Sequence, residues 1–241
     1  MEEFFRFREF SVRNTLSGLK VGTDAVLLGA SVHLQGSPSR ILDIGTGTGI
    51  IALMLAQRLS DAGLTFHITG IDIDAGAFEE ASLNFKASSW NDSLKAVHIS
   101  LQDFADGLYN ASASGYDRYD LIVSNPPYYD NSLPSKEEVR SLSRHTESLS
   151  YREVMTFAAD FLSPDGVLAL VLPSDEERNM QRFAASFGLF PSEIVRVRTV
   201  EYKPPRRILV HLSRRRTFPV PVRTLTVGSQ EYSSLTAPFY L

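Results

Sequence analysis

The chain has 241 residues, 43% of them hydrophobic and 22% charged, and a formal net charge of −4. Those proportions suit one large folded domain, or a domain with an appendage, and exclude wholesale disorder. The absence of cysteine excludes disulfides, thiolate metal sites and cysteine nucleophiles.

No apolar run approaches the roughly 20 residues of a membrane helix, and Met1-Glu2-Glu3-Phe4 has no basic stretch followed by an apolar core, so a secretory leader is not expected. The expectation is a cytoplasmic protein with no membrane and no metal partner; the oligomeric state is open, with a monomer as the working expectation. Charge is unevenly spread. Residues 1–195 hold 15 Lys/Arg against 26 Asp/Glu, whereas residues 196–241 hold nine against two. Arg196, Arg198, Lys203, Arg206, Arg207 and the run Arg214-Arg215-Arg216 supply most of that surplus. A basic end on an acidic body suits either a solvated face or contact with a polyanion.

Four phenylalanines, Phe4, Phe5, Phe7 and Phe10, open the chain. Thr23 is placed to cap a helix running through Val32. From residue 40 onward strand and helix alternate: strands at 40–44, 67–73, 96–99, 119–124 and 166–172, helices at 49–59, 75–87, 151–162 and 175–187. Two more strands, 193–200 and 207–212, have no helical stretch between them. The pattern predicts a doubly wound, mostly parallel α/β sheet of seven strands with an antiparallel C-terminal edge hairpin. Residues 1–241 read as a single domain: 1–39 an N-terminal extension, 40–175 the core, 176–241 the sheet edge with its basic face. Polar loops fall at 88–93 and 110–117, and 129–143 is the longest candidate for a mobile segment.

Chemistry concentrates at three strand ends. The segment Leu42-Asp43-Ile44-Gly45-Thr46-Gly47-Thr48-Gly49 lies where a strand gives way to a helix, the place where open α/β sheets bind ligands. A dinucleotide turn requires G-x-G-x-x-G, but here the third glycine comes one residue early, and Asp43 sets a carboxylate where a pyrophosphate would be repelled. A cofactor with an ammonium and no phosphate suits this turn better, and S-adenosylmethionine is one. The next strand ends in Gly70-Ile71-Asp72-Ile73-Asp74. Asp72, with Ile73 beside it, is placed to accept ribose hydroxyls, and Asp74 to cap the following helix.

The third cluster, Ser124-Asn125-Pro126-Pro127-Tyr128, follows the strand at 119–124. Two prolines fix φ and remove two N–H donors. What remains is rich in acceptors: the Asn125 side-chain oxygen and the Pro126 carbonyl. Such a pair would draw a planar amine towards tetrahedral geometry and free its lone pair for attack on a methyl group. The stabilisation grows as the nitrogen becomes positive, which is differential binding of the transition state. Tyr128 would stack on a planar substrate. His33, His67, His98, His145 and His211 are scattered along the chain, so none is expected to form a metal-ligand pair.

Asp43-x-Gly-x-Gly-x-Gly, the acid at Asp72 and Asn125-Pro126-Pro127-Tyr128 together resemble the class I S-adenosylmethionine-dependent methyltransferases that act on planar amines. More narrowly, the residues from Phe7 to Phe10, the run from Lys20 to Ala30 and the tail from Leu235 to Leu241 resemble the bacterial valine-tRNA adenine-N6 methyltransferases, over nearly the whole chain. The resemblance implies S-adenosyl-L-methionine as cofactor and tRNA as partner. The acceptor it implies is the 6-amino group of the adenosine 3′ of the anticodon. It also implies that Asp43, Gly45, Thr46 and Gly47 contact the methionine moiety and Asp72 the ribose. Lys20, Thr23 and Asp24 would close the pocket. Arg144 and His145 would approach RNA or sit in a plain solvated loop. Where the family often has an Asp for the cofactor's adenine, this chain has Ser100; its hydroxyl, the backbone at Leu101, or Asp103 would take over. Two rivals stand beside this reading. One is a release-factor glutamine N5 methyltransferase, although only 39 residues precede Arg40, too few for a sizeable helical N-terminal domain. The other is a non-catalytic protein that binds S-adenosylmethionine and RNA.

Overall fold

The computed structural model describes residues 4–16, 21–34, 36–111, 118–127 and 149–241. Strands β1 (Phe4–Arg6) and β2 (Ser11–Arg13) pair as a small antiparallel hairpin, followed by helix α1 (Thr23–Ser31). The alternating series is β3 (Arg40–Ile44), α2 (Ile50–Asp61), β4 (His67–Asp72), α3 (Ala75–Ala87), β5 (Leu94–His98), α4 (Leu101–Ala111) and β6 (Tyr119–Ser124). Then come α5 (Tyr151–Phe161), β7 (Leu162–Pro173), α6 (Glu177–Ser186), β8 (Phe190–Arg198), β9 (Arg207–Ser213), β10 (Val222–Thr226) and α7 (Gln230–Thr236).

The main sheet has eight strands in the order β10-β8-β9-β7-β6-β3-β4-β5. Strands β3 to β7 run parallel to one another, β9 runs antiparallel to both β7 and β8, and β10 is parallel to β8. The expected hairpin is present as β8 and β9, but it is not the edge, because β10 is added outside it. This eighth strand leaves little trace in the sequence: it buries only Leu225 and follows the irregular stretch Phe218-Pro219-Val220-Pro221. Helix α4 is not among the expected helices either, although Leu101, Phe104, Ala105 and Leu108 fall at helical spacing and pack against the core.

Apolar burial explains the layering. One face of the sheet packs α1, α2 and α3, through side chains such as Leu27, Leu53 and Phe85. The opposite face packs α4, α5 and α6 through Leu101, Phe157, Phe161 and Met180. Helix α5 starts at a capping box in which Ser150 and Glu153 each satisfy the other's backbone N–H. No helix among the described residues is long and apolar enough to cross a membrane. Ile44 is in register with Ile71 and with Ser124, and Asp72 with His98, so β3, β4, β5 and β6 finish level at one edge of the sheet.

Candidate active site

The first part of the site is the turn after β3. Asp43 has no exposed surface. Its Oδ2 accepts the Thr46 hydroxyl at 2.7 Å, and its Oδ1 has no hydrogen-bond partner among the described residues. Burial pushes this carboxyl up to about 7; the Thr46 hydrogen bond opposes that rise and the nearby Asp72 charge adds to it. Gly45 and Thr46 both donate their backbone N–H to the Ile71 carbonyl, at 2.9 and 3.0 Å, which ties the turn to the end of β4. Gly45 has φ 69°, and a Cβ there would lie 3.1 Å from Leu149 Cδ2. At Gly49, with φ 80°, a Cβ would meet Phe85 Cε1 at 2.5 Å. The third glycine therefore lets α2 start directly against α3, a packing duty distinct from ligand approach.

Asp72 ends β4 and knits the turn to α3. Its Oδ2 accepts from Gly47 N and its Oδ1 from Asp74 N, both at 2.9 Å. A carboxylate offers about four acceptor positions, so two remain for hydroxyls of a ligand. Burial raises its pKa as well. Asp74 caps α3, accepting from Ala77 N at 2.7 Å, as its position in the sequence suggests. Ile73 is exposed beside it, and its carbonyl meets His98 Nε2 at 3.0 Å. Ser100 caps α4: its Oγ accepts from Asp103 N at 3.0 Å and donates to Asp103 Oδ2 at 2.7 Å. Leu101 is buried in the core. The two side chains that stand as alternatives for the adenine contact, Ser100 and Asp103, are thus engaged with each other. A buried carboxylate oxygen lacking a donor, beside a second carboxylate with spare acceptor positions, fits a cofactor that brings an ammonium and a diol.

The second part is the corner after β6. Ser124 Oγ, fully buried, donates to the Ile44 carbonyl at 2.7 Å and fastens the ends of β6 and β3 together. Nothing in the sequence marks this serine, because its partner lies 80 residues away. Gly45 and Asn125 are the next residues on these two adjacent strands, which lie about 4.8 Å apart. Asn125 is partly buried, Pro126 buried and Pro127 exposed. Tyr128, Arg144, His145, Lys20 and the segment 129–143 lie outside the described residues.

The structure divides the remaining expected contacts. Thr23 is the first residue of α1 and Gly22 its N-cap, so the helix does not use a threonine cap. Asp24 pairs with Arg207 at 3.0 Å. The resemblance assigns Asp24 to the cofactor pocket and the basic C-terminal stretch assigns Arg207 to RNA, whereas in the fold they hold each other. Arg206 and Arg207 stand at the start of β9, at the level edge. Because β9 runs backwards, Arg214, Arg215 and Arg216 emerge at the far edge, about 20 Å away. There Arg214 donates to the Ala159 carbonyl, Arg215 pairs with Asp165, and Arg216 lies over the Phe190 ring at 4.3 Å. The basic run therefore does not converge on Asn125.

The histidines are not all scattered. His33 Nε2 and His211 Nδ1 both contact Glu193 Oε2, at 2.8 and 3.1 Å, and the two rings lie 4.8 Å apart. The two histidines lie 160 and 18 residues from Glu193, so the sequence carries no local signal of the group. Three ligand-type atoms gather here, but Arg223 Nε sits 3.2 Å from Glu193 Oε1, and His211 Nε2 is buried without the acceptor that a metal-bound imidazole normally has. The group is an ion-pair hub joining the end of α1 to β8, β9 and β10.

The methyltransferase small domain family model matches residues 17–190. The chain is 38% identical to the tRNA1(Val) (adenine(37)-N6)-methyltransferase of Flavobacterium johnsoniae, across 98% of this chain and 99% of that one. The enzyme of the same description from Trichodesmium erythraeum is also 38% identical, across 98% and 97%. The chain belongs to the tRNA1(Val) (adenine(37)-N6)-methyltransferase family. It is an S-adenosylmethionine-dependent methyltransferase. Two solved structures share the fold. The ribosomal protein L11 methylase of Lactobacillus delbrueckii subsp. bulgaricus has TM-score 0.53 at 15% identity, covering 88% of this chain and all (100%) of that one. The 16S rRNA N2 G1207 methyltransferase of Thermus thermophilus, in complex with AdoMet and guanosine, has TM-score 0.57 at 18% identity, covering 88% and 50%.

Proposed function

We propose that this methyltransferase transfers the methyl group of S-adenosylmethionine to N6 of an adenine in tRNA, at position 37 of a valine tRNA as in its relatives, and that it does so in the cytoplasm. One observation carries the reading: the glycine turn and the Asn125-Pro126 corner leave adjacent strands whose final residues, Ile44 and Ser124, are in register and hydrogen-bonded. A cofactor held at one and an amine held at the other meet within a single methyl transfer.

The chain's own groups divide the work. Asp43 and the turn at Gly45-Thr46-Gly47 bind the amino-acid end of the cofactor, and Asp72 binds its ribose. Residues 1–39 close that pocket. When bound, S-adenosylmethionine supplies an electrophilic methyl whose C–S bond breaks, with its electron pair going to sulfur, as the N–C bond forms. The Asn125 side-chain oxygen and the Pro126 carbonyl accept the two amine hydrogens and bear the positive charge that grows on nitrogen; a proton then leaves for solvent. Tyr128 stacks on the base. No strong base is needed, because the amine becomes acidic only as it gains the methyl group.

The test is methylation of tRNA from cells lacking this modification, read by nucleoside mass spectrometry, beside a glutamine peptide of release-factor type. N6-methyladenosine in tRNA is the expected product, and preferential methylation of the peptide would overturn the substrate. Asn125→Ala should cut kcat by roughly 10²–10³-fold, as loss of one preorganised electrostatic contact does, while cofactor affinity stays within about twofold. Equal losses in both would make Asn125 a binding residue instead.

A further inference from the structure

We infer that the connection between β8 and β9, residues 199–206, is a nucleobase-stacking finger that seats the RNA next to the target adenine, with Tyr202 as the stacking ring and Lys203 and Arg206 as phosphate contacts. This rests on the tRNA reading above. Tyr202 is 83% exposed, so its ring contributes almost nothing to the core. Lys203 and Arg206 are exposed too, and neither has an acidic partner among the described residues.

The finger is rigid below its tip. Pro204 and Pro205 restrict its backbone. Its base is pinned from three directions: Arg206 N donates to the Val197 carbonyl at 2.9 Å, Ser174 Oγ to the Pro205 carbonyl at 2.7 Å, and Arg198 Nη1 to the Glu201 carbonyl at 2.6 Å. The Asp24–Arg207 pair braces it against α1. An aromatic ring held out on a fixed support offers stacking area at little cost in ordering, which is how RNA-binding surfaces take unpaired bases.

Its position is the second argument. Arg207 pairs with Pro173, three residues past Leu170, which is level with Ser124. At about 4.8 Å per strand and 3.3 Å per residue, the base of the finger stands about 14 Å from Asn125, on the same edge. That is within reach of nucleotides flanking a base turned into the site. The exposed aromatic at Phe218, 97% exposed, lies between β9 and β10 at the far edge and serves as an internal control.

The experiment measures binding of a fluorescent valine tRNA transcript by anisotropy, together with steady-state transfer to the same RNA, for wild type, Tyr202→Ala, Tyr202→Phe and Phe218→Ala. Tyr202→Ala is expected to weaken RNA binding by about 5- to 150-fold, the span of base–aromatic stacking, and to raise KM more than it lowers kcat. Tyr202→Phe should retain wild-type affinity, as should Phe218→Ala. Unchanged binding in Tyr202→Ala overturns the finger, and so does equal weakening in Phe218→Ala. Wild-type binding without transfer overturns the catalytic reading alone, and the Tyr202 comparison still decides the finger. If the wild type binds no tRNA, both fall.

Discussion

Asp43 holds one oxygen on the Thr46 hydroxyl and keeps the other, fully buried, without a donor. A carboxyl in that position titrates late, at about 7 against its ordinary 3.8. Between those values the folded chain keeps a proton that the unfolded chain has released. Its contribution to stability is therefore complete below about 3.8 and is lost as pH rises through 7, a loss of a few kcal/mol for so buried a group. Urea unfolding of the cofactor-free protein should show this decline, and Asp43→Asn should remove it. Cofactor binding has the opposite slope, because a cationic ammonium prefers the ionised carboxylate. Affinity should climb with pH through about 7, until the cofactor's own amino group, at about 8, begins to lose its proton. Asp43→Asn should flatten the rise and weaken binding by roughly 10- to 100-fold, the worth of a charge-assisted contact. Calorimetric titration at several pH values checks both; an unaltered rise in the variant would exclude Asp43 as its source.

Elements meet at places where a single atom decides the fit. The start of α2 lies so close to α3 that Gly49 leaves no room for a Cβ beside Phe85. Gly49→Ala combines a positive φ with that clash and should cost about 2–5 kcal/mol. Adding Phe85→Leu should return the packing share and leave the backbone share, a double-mutant comparison readable by thermal unfolding. At the other end of the fold, Glu193 gathers His211, Arg223 and His33, and the His211 hydrogen bond foremost lowers its pKa to about 2. A carboxylate depressed in this way stabilises above its ordinary 4.5, and that help fades as pH falls towards 2. His211 is held below 6.5, chiefly by burial, so the unfolded chain takes up a proton first and stability declines as pH drops past 6.5. Acid unfolding should therefore show two windows: Glu193→Gln removes the lower, whereas His211→Phe removes the upper and shrinks the lower with it.

Across the whole molecule, what could be read from sequence was whatever is local. The three strand-end clusters, the Asp74 cap and the alternating core series are written in adjacent residues, and the sheet aligns them at one edge. Long-range pairing was not readable: Asp24 with Arg207 and His33 with Glu193. The antiparallel hairpin was expected, but not its consequence, that Arg206 and Arg207 stand at one edge and Arg214 to Arg216 at the other. Composition counts charges without saying which way a strand runs. The separation has a measurable outcome. Arg206→Ala should lower the slope of log affinity against log salt by about 1. Arg214→Ala should leave that slope alone and lower the melting temperature, since its guanidinium holds the Ala159 carbonyl. The backward course of β9 also makes the tip at residues 199–206 an attachment hung from a completed frame. Exchange of its exposed residues 202–204, with the pinned base at Glu201, Pro205 and Arg206 kept, is expected to leave the strands and the methyl-transfer centre in place, which gives a natural place to graft recognition of a different RNA onto the same chemistry.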